Sequence, residues 1–481
     1  MQDKDQHKRA TFKKDFLWYF LGSIVPMMVG FVKTPIFTRY FDKESFGQLG
    51  LVTITFSFLG MIFFSWISSC LWRYYSKYEA SGQLRFLYSN LFFLFSISML
   101  LLSLITAGWF LNSGNSLIRE LIGYSFVQLI FNQLYLGYMV VIRLTGKSMY
   151  YTVIQGVKSL LGLFTALIFV FYFEWGIVAL VSSLAFIDLC ALIFLTLTNP
   201  AKLMFGIKDI KKSMLIALLQ YGSAGLILNL SLLSISYSDR YIIALFYDLD
   251  QVGVYDQVYK ISQISIMALI AIYFNTVNPV LLKRLESDFK GSLALTKSYL
   301  FIFIFFGLPI VFYLSLFSKE LAWLLLGKDF RAGYILMPSI FMATFLQGLS
   351  NFFELRLKFS DRIKKLVIIA LITALLNIVF NLILVSSFGY EWAAHTTVIS
   401  YTVMILMLVY GDPMVLGIIK EKHKILIELI VLLTIQYMVY IIFVDKMNIQ
   451  NGTRMGIGFI FALLFLIYFR KAISKMELPA N

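Results

Sequence analysis

Charge is scarce in this chain. Asp, Glu, Lys and Arg make up 14% of 481 residues, where soluble domains carry about a quarter. Cysteine and histidine are scarcer still, with Cys70 and Cys190, and with His7, His395 and His423. Both cysteines lie inside apolar runs, which excludes a disulfide framework and a cysteine metal site. The histidines are far apart and no HExxH or CxxC spacing occurs, so no metal and no cofactor is expected. Long polar segments are missing as well. No stretch between apolar runs is long enough to fold as a domain. This argues against an enzyme with an external or cytoplasmic catalytic domain.

What fills the chain is apolar residue. The hydrophobic share is 60% and the mean hydropathy +0.82. A soluble fold of this length could not hide so much apolar surface, so the chain reads as an integral membrane protein. About twenty apolar residues cross a bilayer as a helix, and about fourteen such runs occur, from 16–40 to 455–469. A lipid-facing alternation of period two is absent, which excludes a barrel. The expected fold class is all-α, with about 14 transmembrane helices.

The net charge of +15 does not mark a nucleic-acid partner, because the basic residues are spread over short loops rather than gathered on a domain. They report orientation instead. With the N-terminus in the cytoplasm, inner segments carry about three times as many Lys and Arg as outer loops. An even number of spans then puts both termini in the cytoplasm. The apolar run beginning at Phe16 is too long for a signal-peptide core and is read as a retained first span.

The chain also repeats. Phe41-Asp42-Lys43-Glu44-Ser45-Phe46-Gly47 lines up with Tyr247-Asp248-Leu249-Asp250-Gln251-Val252-Gly253. The aromatic, both acids, the apolar residue and the glycine recur at one offset. A second match follows the fourth and tenth spans, where Arg143-Leu144-Thr145-Gly146-Lys147 answers Lys358-Phe359-Ser360-Asp361-Arg362. This predicts two six-helix bundles of the same orientation, 1–198 and 214–412, joined by a cytoplasmic linker at 199–213. Two further helices and a tail occupy 413–481. The arrangement is a parallel repeat about an axis along the membrane normal. Asp42, Gly47, Asp248 and Gly253 then mark a hinge motif, used once in each half. Asp42 and Glu44 would also suit a metal-holding transferase site. A unique active site needs only one copy, however, and acids just before a helix favour its amide end.

A charge at mid-bilayer costs about 2.5–3.5 kcal/mol on insertion scales, so each needs a reason. In the first span Ser23, Pro26, Gly30 and Lys33 share a helical face. Lys33 either snorkels to the outer interface or lines a cavity. In the seventh span Gly222, Gly225, Asn229, Ser236 and Arg240 form a matching face, with Asn229 at the place of Ser23 and Asp239 at that of Lys33. Asp239 and Arg240 either neutralise each other or leave Arg240 to a cavity. The eighth span carries Tyr255, Asp256, Tyr259, Lys260 and Gln263. Asp256 and Lys260 are an i, i+4 pair, yet a face so polar does not suit lipid. Lys158 and Asp188 lie at similar depth on neighbouring spans, as a structural salt bridge or a coupling pair. Pro26, Pro35, Pro279, Pro309 and Pro338 are bending points, static or moving.

The first span with its small residues and proline, the stretch from Phe37 to Gly50, and the second copy running from Asp239-Arg240 to Gly253-Val254-Tyr255 carry a resemblance. The chain resembles the polysaccharide flippases, the Wzx-like proteins, of the multidrug/oligosaccharidyl-lipid/polysaccharide exporter superfamily. The resemblance implies two six-helix bundles around a central cationic cavity in a bacterial cytoplasmic (inner) membrane. It implies transport of undecaprenyl-diphosphate-linked oligosaccharide from the cytoplasmic to the outer leaflet by alternating access, for O-antigen, capsule or another surface polysaccharide such as lipopolysaccharide. Partners would be the lipid-linked oligosaccharide, membrane lipid, and a polysaccharide polymerase with its chain-length proteins. The family places its cavity on spans 1, 2, 7 and 8, which points to Lys33, Arg240 and Lys260, with Asn229, Tyr259 and Gln263 beside them. The two extra helices depart from the usual twelve and resemble the peptidoglycan-precursor branch, where they form a groove for the lipid tail. Chemistry agrees with a dianionic, hydroxyl-rich substrate, since Lys and Arg suit phosphate while aromatic and amide groups suit sugars. A multidrug or cation antiporter of the same superfamily is the alternative, and a membrane-embedded glycosyltransferase or polysaccharide polymerase comes third.

Overall fold

A computed structural model describes residues 18, 22, 24–199, 203–289, 291–359, 362–411, 417–439 and 451–470. Met1–Asp15, Ser23, the Ser360-Asp361 pair and the tail from 471 onward lie outside the described residues. The side on which the termini sit therefore rests on the charge count alone.

Among the described residues all regular structure is helical. The helices are α1 (Ile24–Thr38), α2 (Lys43–Gly60), α3 (Trp66–Ala80), α4 (Leu84–Asn112), α5 (Ser116–Leu144), α6 (Ser148–Phe171), α7 (Ala179–Thr198) and α8 (Lys212–Phe246). There follow α9 (Leu249–Ser287), α10 (Ser292–Leu316), α11 (Ser318–Leu325), α12 (Met337–Phe359), α13 (Ile363–Phe388), α14 (Trp392–Gly411), α15 (Gly417–Val439) and α16 (Asn451–Tyr468). Among the described residues, 11 helical stretches are long and apolar enough to cross a membrane, and α1 and part of α16 are shorter apolar helices. Where they are described, the apolar runs read from the sequence fall on helices, with the expected number of about 14 spans an approximate one, and the protein is a multi-pass membrane protein. Its outward residues fit that solvent: Leu104 is 64% and Leu111 77% exposed, a loss in water and no loss in lipid.

Two features were not legible. The second span, Lys43–Ala80, is interrupted by a π-helical turn at Met61–Ser65. One extra residue in a turn bends a helix without proline, and the Ser65 hydroxyl donates to the Met61 carbonyl at 2.6 Å. The second feature is α11 with the 3₁₀ stretch Lys328–Leu336, which packs against it between α10 and α12. This segment also holds the end of α1. The Gly327 amide donates to Thr38 Oγ1 at 2.8 Å, and Arg39 donates to the Leu324 carbonyl at 2.8 Å. A Cβ on Gly327 would stand 1.8 Å from the Thr38 carbonyl oxygen, so only glycine fits there.

By packing, the chain forms two compact units. One is Met1–Lys33 with Phe41–Asp256, and the other Thr34–Tyr40 with Gln257–Asn481. In the first, α5 packs on α7 and α2, α6 on α7, and α3 on both α4 and α8. In the second, α12 and α13 pack on α14, and α10 on α12. Rings fill this second core, with Phe303 stacked on Phe345 at 5.1 Å and tilted against Phe274 at 5.7 Å. The last two helices dock within the same unit. The Tyr313 hydroxyl reaches Gln436 Oε1 at 3.0 Å and the Phe461 carbonyl at 3.1 Å, and Phe305 packs on Phe465 and Phe469. Buried Arg454 of α16 pairs with Glu320 of α11 at 2.9 Å.

Candidate functional site

The repeated motif is built as a reciprocal contact. Asp42 is the N-cap of α2, accepting from the Ser45 amide at 2.8 Å and the Ser45 hydroxyl at 2.9 Å. Burial pushes the Asp42 carboxyl up, but the Ser45 hydrogen bonds together hold it below its ordinary value. Asp248 occupies the matching place before α9 and is exposed. Lys43 pairs with Asp250 at 3.0 Å. A Cβ on Gly47 would stand 2.1 Å from the Leu249 carbonyl oxygen, and one on Gly253 would stand 2.0 Å from that of Lys43. Leu249 is the repeat counterpart of Lys43, and Gly253 of Gly47. The two contacts therefore exchange partners, as an isologous interface does. One turn further on, Gly50 faces its own counterpart, since its Cβ would lie 3.3 Å from Asp256 Oδ2.

Beneath this contact lies a sealed ionic cluster in the same unit. Asp239, Arg240, Tyr255 and Asp256 are all 0% exposed. Arg240 Nη1 donates to the Ser236 carbonyl at 2.6 Å and to Asp239 at 2.7 Å, while its Nε lies 3.6 Å from Asp256 Oδ1. Tyr255 donates to Asp239 at 2.5 Å, and the guanidinium sits over the rings of Tyr237 and Tyr255 at 5.2 and 5.0 Å. Asp239 is thus held by Tyr255 as well as by its neighbour. A guanidinium so enclosed reaches a ligand only if the cluster opens.

A second set of charges opens onto a cavity. In the first unit, α1, α5, α6 and α7 enclose about 360 Å³, lined by Lys33, Lys158, Tyr135, Tyr151, Gln155 and Ser159 beside Pro26 and Gly30. The two lysines come from different helices and share this one space. Tyr151, Gln155, Lys158, Ser159 and Gly162 recur at helical spacing on α6, so the face was readable; the sequence offered no sign that α1 and α6 share a cavity. Lys158 is ion-paired with Asp188 of α7 and sits 3.8 Å from the centroid of the Tyr135 ring. Asp188 Oδ2 accepts from Gln128 at 3.1 Å and Asn132 at 3.2 Å. The acid is 1% exposed and the lysine side chain 16%, so the acid lies behind and the lysine at the wall.

The remaining candidates are placed as follows. Asn229 of α8 is half-buried in the first unit. Tyr259 (buried), Lys260 and Gln263 (both half-buried) lie on α9 in the second unit. That unit has its own polar recess of about 270 Å³, lined by Asn278, Asn351, Glu354 and Lys358 with Phe274. Glu354 accepts from Ser350 at 2.9 Å and pairs with Lys358 at 3.2 Å. Among the described residues, no three His, Cys, Asp or Glu side chains converge as metal ligands would.

Comparison with known proteins places this architecture. A family model described as "Polysaccharide biosynthesis protein" matches residues 12–285. Among solved structures, the chain is similar to a lipid II flippase MurJ in an inward closed conformation. Identity is 16%, with 95% of this chain and 99% of that one covered, at a TM-score of 0.71. It is also similar to an inward-facing multidrug resistance MATE family transporter of the MOP superfamily, at 13% identity, 84% and 96% coverage and a TM-score of 0.61. At such identities the likeness is one of fold. No curated protein matches.

Proposed function

Because this chain belongs to the polysaccharide biosynthesis protein family, we propose that it is a flippase. It moves a lipid-linked oligosaccharide, an undecaprenyl diphosphate carrying a sugar repeat unit, from the inner to the outer leaflet of a bacterial cytoplasmic membrane. The observation that carries this reading is the cavity in which Lys33 and Lys158 face one space with two tyrosines, an amide and a hydroxyl. A diphosphate meets two ammonium groups there, and sugar hydroxyls meet aromatic faces and polar tips. The head group would cost far more than one charge to carry through lipid, so a polar recess within the membrane is what the task needs.

On this reading Lys33 and Lys158 hold phosphate in the first unit, which also carries Asn229, and Lys260, Tyr259 and Gln263 are the substrate-contacting candidates of the second unit. Arg240 positions α8 against α9 instead of touching substrate. The two halves act as six-helix bundles that open alternately, with both termini in the cytoplasm. The protein acts as a transporter and not as an enzyme, a reading supported by the fold likeness to flippases and transporters. A polymerase and chain-length proteins would take the product at the outer face, for O-antigen, capsule or a similar polymer.

The test replaces Lys33 and Lys158 together by alanine in the native host. Surface polysaccharide should be lost while the protein still inserts at normal abundance. Normal polysaccharide in that strain rejects the site. The fold likeness to MATE transporters supports a second reading, a drug or cation antiporter. Export of cationic drugs by the parent, with unchanged surface polysaccharide on deletion of the gene, would favour it.

A further inference from the structure

The Lys158–Asp188 pair is asymmetric, and the asymmetry bears on how the cavity selects and releases anions. Asp188 is fixed: one oxygen faces Lys158 and the other takes amide hydrogen bonds from Gln128 and Asn132. Lys158 is held by that carboxylate and by the Tyr135 ring. Its ammonium has three donors on a flexible four-carbon stem, and it stands at the cavity wall, where Asp188 does not. A cation on a flexible stem thus lies between a buried carboxylate and an open space that Lys33 also lines.

We propose that Asp188 is an internal competitor anion, from which Lys158 turns in exchange for the phosphate groups of the ligand. This rests on the flippase reading above and adds a selectivity device to it. With Lys158 engaged, an incoming anion must outbid Asp188 for it. A diphosphate with several oxygens can bridge both lysines, whereas a small singly charged anion cannot. The same competition returns Lys158 to Asp188 when the ligand leaves, so binding strong enough to capture the head group does not trap it. Gln128 and Asn132 serve this by keeping the carboxylate in place while its cation is away.

The experiment uses the full chain purified in detergent, with inorganic pyrophosphate as probe and equilibrium dialysis as readout. Asp188→Asn should tighten pyrophosphate binding at least about tenfold, because a charge a few ångströms from the site is removed. Lys158→Ala should cost more affinity in the Asp188→Asn background than in the parent, since Lys158 is then fully available to the anion. Asn132→Asp, which adds a second acid beside the first, should weaken binding and keeps the test decisive if Asp188→Asn does not fold. An Asp188→Asn protein that binds no more tightly than the parent overturns the inference, as does an Asn132→Asp protein that binds equally well. A purely structural bridge would change protein yield and leave the affinity of the folded fraction alone. A parent that binds no pyrophosphate overturns the anion reading of the cavity itself. Geranylgeranyl diphosphate separates the sources of the anion. Tighter binding than pyrophosphate identifies a lipid-linked head group. Equal binding identifies a free polyphosphate, which leaves the exchange standing and removes the flippase reading.

Discussion

Two cations within membrane spans of the first unit meet opposite fates. Arg240 has both its carboxylates, Asp239 and Asp256, and two tyrosine rings around it, and no exposed surface. Lys158 has one carboxylate, one ring and an open side. Both are ion pairs within a membrane span, and a count of intramembrane charges treats them alike. The difference lies in the residue chosen. A planar guanidinium with fixed donors suits a permanent network, while a flexible ammonium suits a partner that changes. A buried pair is weak evidence for stability in itself, but removing one member leaves an uncompensated charge. Asp188 keeps its amide hydrogen bonds from Gln128 and Asn132 when Lys158 is away, so the comparison predicts that Arg240 governs folding and that Lys158 governs binding.

The largest effect that would break this contrast comes from the cavity. The Lys33→Ala/Lys158→Ala double variant should abolish surface polysaccharide at normal membrane abundance, as measured by polymer staining beside an immunoblot. Next comes Arg240→Ala, expected to cost about 3–5 kcal/mol by stranding Asp239 and Asp256. It should appear as low abundance and a lowered melting temperature in detergent. If Arg240→Ala folds normally and loses only transport, the two cations do not divide the work as described.

Much of this was readable from the chain. Length and hydropathy were enough to place the spans, because a helix in lipid must satisfy its own backbone and so needs a long apolar run. The two glycines of the repeated motif were readable, and Gly47 and Gly253 stand where two backbones touch and no other residue fits. Arg240 was harder. Its neighbour Asp239 was visible, but the closure by Asp256 and Tyr255 depends on how α8 meets α9, which one sequence does not encode at a recognisable spacing. Lys158 and Asp188 were paired correctly from depth alone. The opening of Lys158 onto the same space as Lys33 was hidden, since α1 and α6 are distant in sequence and the cavity is set by the packing of four helices. The π-helical turn at Met61–Ser65 carries no proline or glycine to announce it.

The glycine contact of α2 with the start of α9 sharpens the contrast between sealed and open regions at smaller scale. Gly47→Ala and Gly253→Ala each place a methyl group against a backbone carbonyl, and overpacking of this kind costs about 1–3 kcal/mol. Because the two clashes face the same pair of helices, one separation of α2 from α9 relieves both. The double variant should therefore cost less than the sum of the singles, a non-additivity that thermal unfolding of the three proteins would reveal. Additive losses would mean that the two contacts are independent and that the exchange of partners is accidental.

The smallest effect belongs to Asp42, which caps α2 through Ser45. Asp42→Ala should cost about 1 kcal/mol at neutral pH, the usual worth of such a cap. The folded carboxyl is held below its ordinary value, so its contribution is fully present above the unfolded value of about 4 and is lost as pH falls through the folded one. The melting difference between parent and Asp42→Ala should accordingly be constant above about pH 5 and shrink below about pH 4. A difference that persists unchanged into acid would show that the Asp42 side chain acts by packing, not as a charged cap. The first copy of the motif would then owe its place to Gly47 alone, with the acid free to vary.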